Sequence, residues 1–308
     1  MKKNIVWVII VLVTFLVVTV SFFIMRKVTV AASPVAEYDK ATPIYRRAEN
    51  FVRNGEYYKA ENAFLAVANN YPESIYAEKS IRNLIEIYRE NKDYKRVRDN
   101  YKRLIAEFPD IADSAEVNAI IEDLNITIIF SPAIAENSVE YEVLPGDTLY
   151  KIAKNFNTTV ELIKKTNGLE KDLIRPGQRL KIIVSEFSVF VDKSENMLLL
   201  KNMDEIIKSY KVSTGKNNST PVGIFRVEEK MVQPVWYKIG SVVAPDSEEY
   251  ELGSRWMGLS VEGYGIHGTS DESTIGQQVT HGCVRMRNDD VVELFTIIPS
   301  GTKVTIVN

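Results

Sequence analysis

Residues Ile5 to Met25 (IVWVIIVLVTFLVVTVSFFIM) run without a charged side chain, bracketed by Lys2 and Lys3 before and by Arg26 and Lys27 after. As a helix rising about 1.5 Å per residue, the run is long enough to cross a hydrocarbon core of about 30 Å. It therefore divides the chain into an N-terminal anchor, residues 1–27, and whatever folds beyond it. The apolar core of a cleaved secretory signal is shorter, about 7–15 residues. An uncleaved anchor is expected, although Val30-Ala31-Ala32 offers a weak processing site. Basic residues on both flanks leave the orientation open on charge alone.

Residues 28–41 (VTVAASPVAEYDKA) are small and polar, with a proline, and read as a tether. From 42 to 124 apolar residues recur at helical spacing, as in Ala63, Val67 and Tyr71, or Ile81, Leu84, Ile85 and Tyr88. This region repeats itself. NGEYYKAENAFLAVANNYPE (54–73) aligns without gaps to NKDYKRVRDNYKRLIAEFPD (91–110) at an offset of 37 residues, pairing Tyr57 with Tyr94, Phe64 with Tyr101 and Tyr71 with Phe108. Helix pairs of this period resemble tetratricopeptide-type repeats. They serve either as a spacer or as a surface for a protein partner.

Residues 125–140 (NITIIFSPAIAENSVE) lose the helical period and are expected to be a linker with a short strand at most. In 141–184, Pro145-Gly146-Asp147 turns the chain out of a strand, and Leu149, Ile152, Ala153 and Phe156 form one apolar helix face. Thr158 with Glu161 predicts a capping box for a second helix, Asn167-Gly168 its stop, and Pro176-Gly177 a turn into a strand at Leu180–Val184. This strand-helix-helix-strand unit resembles a LysM domain. The resemblance implies binding of N-acetylglucosamine-containing chains in a groove between two loops, here Gly146, Asp147, Thr148 and Leu149 facing Leu173, Ile174, Arg175 and Pro176.

Residues 185–308 alternate like β-structure, in runs such as FSVFVD (187–192), MLLLK (197–201), GIFRVEE (223–229) and TKVTIVN (302–308). The chain's single cysteine and its only two histidines all fall here, as His267, His281 and Cys283. A lone cysteine is usually a small buried hydrophobe. Clustered with imidazole it acquires a route to thiolate, since a free thiol of pKa about 8.5 is mostly protonated at neutral pH. Gly282 removes a side chain where backbone N–H groups could meet an oxyanion, and Arg285 adds a fixed positive charge two residues on. These are parts of an acyl-transfer site. Zinc is the alternative, with His267, His281 and Cys283 as three ligands. Against it, no HExxH motif accompanies them and Arg285 stands where a cation would sit.

Ser213-Thr214-Gly215, TPVGIF (220–225), LGSRWMGL (252–259), YGIHGT (264–269) and THGCVRM (280–286), in that order, resemble the YkuD-type L,D-transpeptidases over nearly all of 185–308. The resemblance implies a β-sandwich-like domain that transfers an acyl group from a tetrapeptide stem of peptidoglycan, with release of terminal D-Ala, to an amine. It implies Cys283 as nucleophile, His267 as general base, His281 in support, Gly282 and Cys283 N–H groups as oxyanion donors, and Arg285 in substrate or site electrostatics. No cofactor and no metal are expected.

The whole-chain charge of −3 gives no basic face for nucleic acid. The fold class expected is thus multidomain: a transmembrane helix, an all-α repeat region, a βααβ LysM domain and a β-rich catalytic domain. The expected function is a cell-wall transpeptidase held in the cytoplasmic membrane with its N-terminus inside. The alternative is a non-catalytic wall-binding scaffold that recruits partners through its helical repeats.

Overall fold

The computed structural model describes residues 35–109, 114–238, 241–245, 247 and 250–308. The expected anchor at 5–25 lies outside them. Among the described residues no helix is long and apolar enough to cross a membrane. The chain divides into two compact units, 1–112 and 113–308.

The first unit contains α1 (Val35–Arg53), α2 (Tyr57–Asn70), α3 (Ile75–Glu90) and α4 (Tyr94–Glu107), each packed on the next. The start and end of α2 and α4 reproduce the 37-residue offset of the repeat. Phe64 and Tyr101, equivalent by that offset, are both buried, and the helices end alike on Tyr71 and Phe108 with φ of −137° and −133°. Ser74 and Asp93 cap α3 and α4 by accepting from backbone N–H groups, as short polar side chains at an N-cap do.

The second unit opens with α5 (Ser114–Phe130), which runs six residues into the expected linker. The even apolarity of ITIIF carries no helical period, which is why residues 125–130 read as linker although they are helical. That composition suits a helix buried on more than one side better than a period suits a surface helix. Next come β1 (Ser138–Glu142), α6 (Leu149–Asn155), α7 (Val160–Thr166) and β2 (Arg179–Ile183), with β1 and β2 antiparallel. This is the expected βααβ order. The cap of α7 is Thr159, which accepts from Leu162 N–H at 2.8 Å, rather than Thr158 as the capping-box reading had it. Thr158 Oγ1 is buried without a partner among the described residues.

The remaining strands are β3 (Phe187–Asp192), β4 (Met197–Asn202), β5 (Glu205–Lys211), β6 (Thr214–Gly215), β7 (Gly223–Val232), β8 (Trp236–Lys238), β9 (Ser241–Val243), β10 (Arg255–Leu259), β11 (Gly265–His267), β12 (Gln278–Thr280), β13 (Val284–Arg285) and β14 (Lys303–Val307), with α8 (Asn288–Ile297) before the last. Eight of them form one mixed sheet in the order β13-β11-β10-β7-β14-β3-β4-β5. The expected sandwich-like domain is a strand-rich half-barrel whose two parts are joined through β7, Gly223–Arg226 pairing with β14 and Val227–Val232 with β10, and which is flanked by the two-stranded pairs β6–β12 and β8–β9. Alternation along the strands fixes one buried face per strand but not how many sheets share that face. Here the inward residues of both ends, from Leu198 and Leu200 to Ile266 and Val284, meet Val291, Leu294 and Phe295 of α8 in one core.

Helix α5 joins this core and fastens the LysM-like unit to it. Ile126 is buried in the sheet core, with Ile129 and Phe130 against it. Asn125 Nδ2 donates to Ile207 O at 3.0 Å, and Glu122 accepts from Ser209 N–H and Oγ–H. On the other side Lys181 of β2, 3% exposed, donates to Ile128 O and Ser131 O, both at 2.9 Å, and so caps the helix C-terminus. Burial lowers the Lys181 pKa to about 8. Thr159 Oγ1 adds a bond to Thr296 O of α8. A fragment beginning at residue 132, which keeps β1 whole, would remove both Lys181 acceptors and uncover the sheet. We expect 132–308 to be less stable than 114–308 by about 5 kcal/mol, for three apolar side chains and an orphaned charge. Equal midpoints would show that α5 is dispensable.

Candidate active site

The parallel pairing of β11 with β13 sets Ile266 opposite Val284 and His267 opposite Arg285. Continued by one residue, it brings Cys283 beside Gly265. Side chains of His267, His281, Cys283 and Arg285 accordingly line one cleft of about 360 Å³, together with Thr280, Trp256, Glu229, Glu251 and the apolar residues Met231, Pro234, Val235 and Leu252. Polar groups converging in an apolar cleft are the usual form of a small-molecule site.

His267 is 4% exposed. Its Nδ1 lies 2.6 Å from Gly268 O. A carbonyl only accepts, so Nδ1 carries the proton and Nε2 keeps its lone pair. Trp256 stacks on the imidazole with ring centroids 5.8 Å apart. Burial, opposed by the Gly268 and Leu252 carbonyls and reinforced by the Arg285 charge, brings the His267 pKa down to about 4. The Cys283 thiol is half-buried, with its sulfur 3.8 Å from Gly263 O as acceptor. Burial raises its pKa, while the Gly265 N–H and Arg285 work against the rise. Imidazole and thiol are therefore both neutral near pH 7.

The turn before the thiol is tied by Thr280. Its Oγ1 donates to Cys283 O at 2.7 Å and accepts from Gly282 N–H at 3.1 Å. The Gly282 N–H expected in the oxyanion hole is thus occupied, a correction that depends on the one side chain able to fold back across a three-residue turn. No partner is found for the Cys283 N–H among the described residues. Gly282 is required for another reason. At φ +131° its Cβ would stand 2.5 Å from the Tyr264 ring, and a Cβ on Gly215 would stand 2.9 Å from Gly282 Cα. Ser213 locks the same corner by exchanging two 2.8 Å backbone bonds with Arg285.

Arg285 is ion-paired with Glu251 at 3.1 Å and donates to Thr274 Oγ1, while its Nε is buried without a partner among the described residues. His281 lines the cleft as an exposed residue, whereas His267 is buried. Among the described residues no three His, Cys, Asp or Glu side chains converge as a metal site. Sequence reading missed Asn288, the first residue of α8. Its Nδ2 donates to Thr269 O at 2.6 Å and its Oδ1 accepts from Ser254 N–H at 2.9 Å, holding the loop that carries the Gly268 carbonyl. No local pattern marks it, since its partners lie 19 and 34 residues away.

In the LysM-like unit the two expected loops are adjacent, joined by Val143 N–H to Gln178 O and Gly177 N–H to Val143 O. Their side chains divide. Gly146 takes φ +86° in the turn, and Thr148 caps α6 through Lys151 N–H. The Asp147 carboxylate is taken up by Tyr141 Oη–H and Leu144 N–H. Leu149 is 2% exposed in the core and Ile174 packs against it, so neither can offer its side chain to a glycan as expected. Leu173, Arg175 and Pro176 are exposed, and beside them stand exposed Leu144 and Tyr150, which the motif did not single out. Leu149→Ala should cost about 2–5 kcal/mol in the unfolding of this unit, whereas Tyr150→Ala should leave the melting temperature within error.

Three known families match successive parts of the chain. The L,D-transpeptidase catalytic domain of the YkuD type matches residues 186–306, the LysM domain residues 141–182, and a YfiO-type outer membrane lipoprotein family residues 37–125. YkuD of Bacillus licheniformis, an L,D-transpeptidase by its assigned name, is 34% identical over 174 residues that cover 54% of this chain and 97% of that protein. YcfS of Escherichia coli, also named an L,D-transpeptidase, is 28% identical over 209 residues, covering 58% of this chain and 64% of that one. The solved catalytic domain of an Enterococcus faecium L,D-transpeptidase shares 22% identity, covers 40% of this chain and 98% of that chain, and has a TM-score of 0.34. The chain belongs to the YkuD family and is an L,D-transpeptidase, a peptidoglycan cross-linking acyltransferase with a LysM domain ahead of its catalytic domain.

Proposed function

We propose that Cys283 is the nucleophile and His267 its general base in a two-step acyl transfer on peptidoglycan stem peptides. The observation that carries this is the pairing in one cleft of a thiol with a buried imidazole whose Nδ1–H is fixed on Gly268 O. As Sγ bonds to the stem carbonyl carbon, its proton passes to His267 Nε2, and the carbonyl oxygen takes the negative charge. The Cys283 N–H faces that charge, with the Arg285 guanidinium behind it. Collapse of the adduct breaks the peptide bond, and the leaving amine, the terminal D-Ala, takes the proton from Nε2. A thioester remains. In the second step an amine attacks it, His267 again accepts the proton, and Sγ leaves and is reprotonated, so the enzyme returns unchanged.

The LysM loops concentrate the enzyme on glycan, with Leu173, Arg175, Pro176, Leu144 and Tyr150 supplying the exposed contact surface. Residues 5–25 anchor the chain in the cytoplasmic membrane with the N-terminus inside, because a cell-wall substrate lies outside. The helical repeats offer a surface to a protein partner.

Incubating the ectodomain with a tetrapeptide stem and recording its intact mass should show a transient adduct equal to the stem less D-Ala, mapped to Cys283. Turnover without a Cys283 adduct would exclude the thiol mechanism.

A further inference from the structure

The LysM domain is held to the rest of its compact unit at three places. On β2, Lys181 donates to Ile128 O of α5 and to Ser131 O just beyond it, both at 2.9 Å. On the last residue of α7, Thr166 Oγ1 donates to Ile129 O at 3.2 Å, and the neighbouring Lys165 ammonium stands 4.4 Å from the centroid of the Phe130 ring. Ahead of α7, Thr159 Oγ1 donates to Thr296 O of α8. The receiving groups are themselves fixed. Helix α5 is bound to the edge strand β5 through Asn125 and Glu122. The end of α8 is bound to β7, where Lys230 donates to Phe295 O at 2.6 Å and to Ile298 O at 2.8 Å.

Thr159 and Thr166 stand at opposite ends of α7, about 10 Å apart, and Lys181 lies off that line on β2. Three attachments that are not collinear leave no axis to turn about. Any swing would also strip the buried Lys181 ammonium of its acceptors, and an uncompensated buried charge is strongly destabilising. None of the attachment residues belongs to the loops that carry exposed Leu144, Tyr150, Leu173, Arg175 and Pro176, so the expected groove stays open. Helix α8 serves both parts. Its first residue, Asn288, holds the loop of His267, and Thr296 receives the LysM domain eight residues on, about 12 Å along the axis. An extended four-residue stem spans about 13–14 Å, so attachment and active site are about one stem length apart.

We propose that the LysM domain is a fixed gauge: the glycan strand carrying the donor stem seats its sugars in the LysM groove on one side of that stem only, and at one spacing from it. This rests on the LysM loops as the glycan groove and on Cys283 as the nucleophile. A glycan strand has two chemically different ends, and a groove that cannot turn meets the strand in one direction. Linking two sites raises effective concentration only at separations the link permits. A rigid link therefore rewards one spacing, where a flexible link would reward many.

The test uses donors with one tetrapeptide stem on a glycan lengthened one disaccharide at a time, either at its reducing or at its non-reducing end, assayed by D-Ala release on the full chain. For wild type, KM should fall by about 10²-fold in a single step for one direction of growth and stay unchanged for the other. Thr166→Val combined with Lys181→Met, which cuts the bonds to α5, should bring the two directions together. Because that variant also loses a helix cap, rigidity is read directly as well, on a Cys283→Ala chain spin-labelled through Lys171→Cys and Glu195→Cys at exposed positions. Its distance distribution should be as narrow as that of a pair within the catalytic domain, Glu195→Cys with Lys303→Cys. Equal gains in both directions of growth, or a broad distribution between the two domains, would overturn the gauge. Loss of D-Ala release from every donor would strike at the nucleophile instead, and a KM that ignores glycan length in both directions would strike at the glycan groove. Either result would remove the ground for the proposal.

Discussion

Replacing Cys283 with alanine should abolish release of D-Ala from a tetrapeptide stem and the thioester adduct together. No other thiol exists in the chain to substitute, and the neighbouring hydroxyl of Thr280 is already engaged with Cys283 O and Gly282 N–H. On the proposed mechanism only positioning and oxyanion stabilisation would remain, and residues acting as a unit lose nearly everything when one is removed. The variant should still fold. The thiol is only half-buried at a cleft wall, so its loss should move the unfolding midpoint by no more than about 1 kcal/mol. Retained turnover by a folded Cys283→Ala protein would overturn the mechanism.

Replacing His267 with alanine should slow acyl transfer by about 10²–10⁴-fold, the usual contribution of a positioned base, and should leave a thiol that reacts with strong electrophiles. The pH dependence is more diagnostic. With its pKa brought down to about 4, His267 stays neutral and able to accept a proton across the whole range above that value. The acid limb of kcat/KM should therefore fall near pH 4, where a solvent-exposed imidazole would place it near 6.5. The same shift acts on stability. Between pH 6.5 and 4 the unfolded chain binds a proton at this residue that the folded chain refuses, so the folded state loses ground as pH falls. The loss is complete below about pH 4 and amounts to about 3 kcal/mol. His267→Gln, which cannot titrate, should lack that part of the decline when melting temperatures are compared at pH 7 and pH 4. An acid limb at 6.5 would mean that the imidazole is hydrated in solution.

Much of this protein was legible in short stretches of sequence. The 37-residue repeat set the bounds of α2 and α4, because helix length and packing positions are local periodicities. Gly146, Gly177 and the prolines beside them marked the LysM turns, because only such residues take or lead into those backbone angles. His267, Gly282 and Cys283 announced a thiol site, because chemistry this specific needs a base and a close backbone in a chain with almost no spare histidine or cysteine. Contacts between distant segments decided the rest. Whether ITIIF was linker or buried helix depended on the partners that β5 and Lys181 provide. Whether the Gly282 N–H was free depended on the Thr280 rotamer, and the imidazole's pKa on burial, the Gly268 carbonyl and Arg285. Glu229, 54 residues before Cys283, became part of the site only through the strand order β7-β10-β11-β13. Strand order is set by which edges and apolar faces find one another across the whole domain, and spacing along the chain carries no record of it.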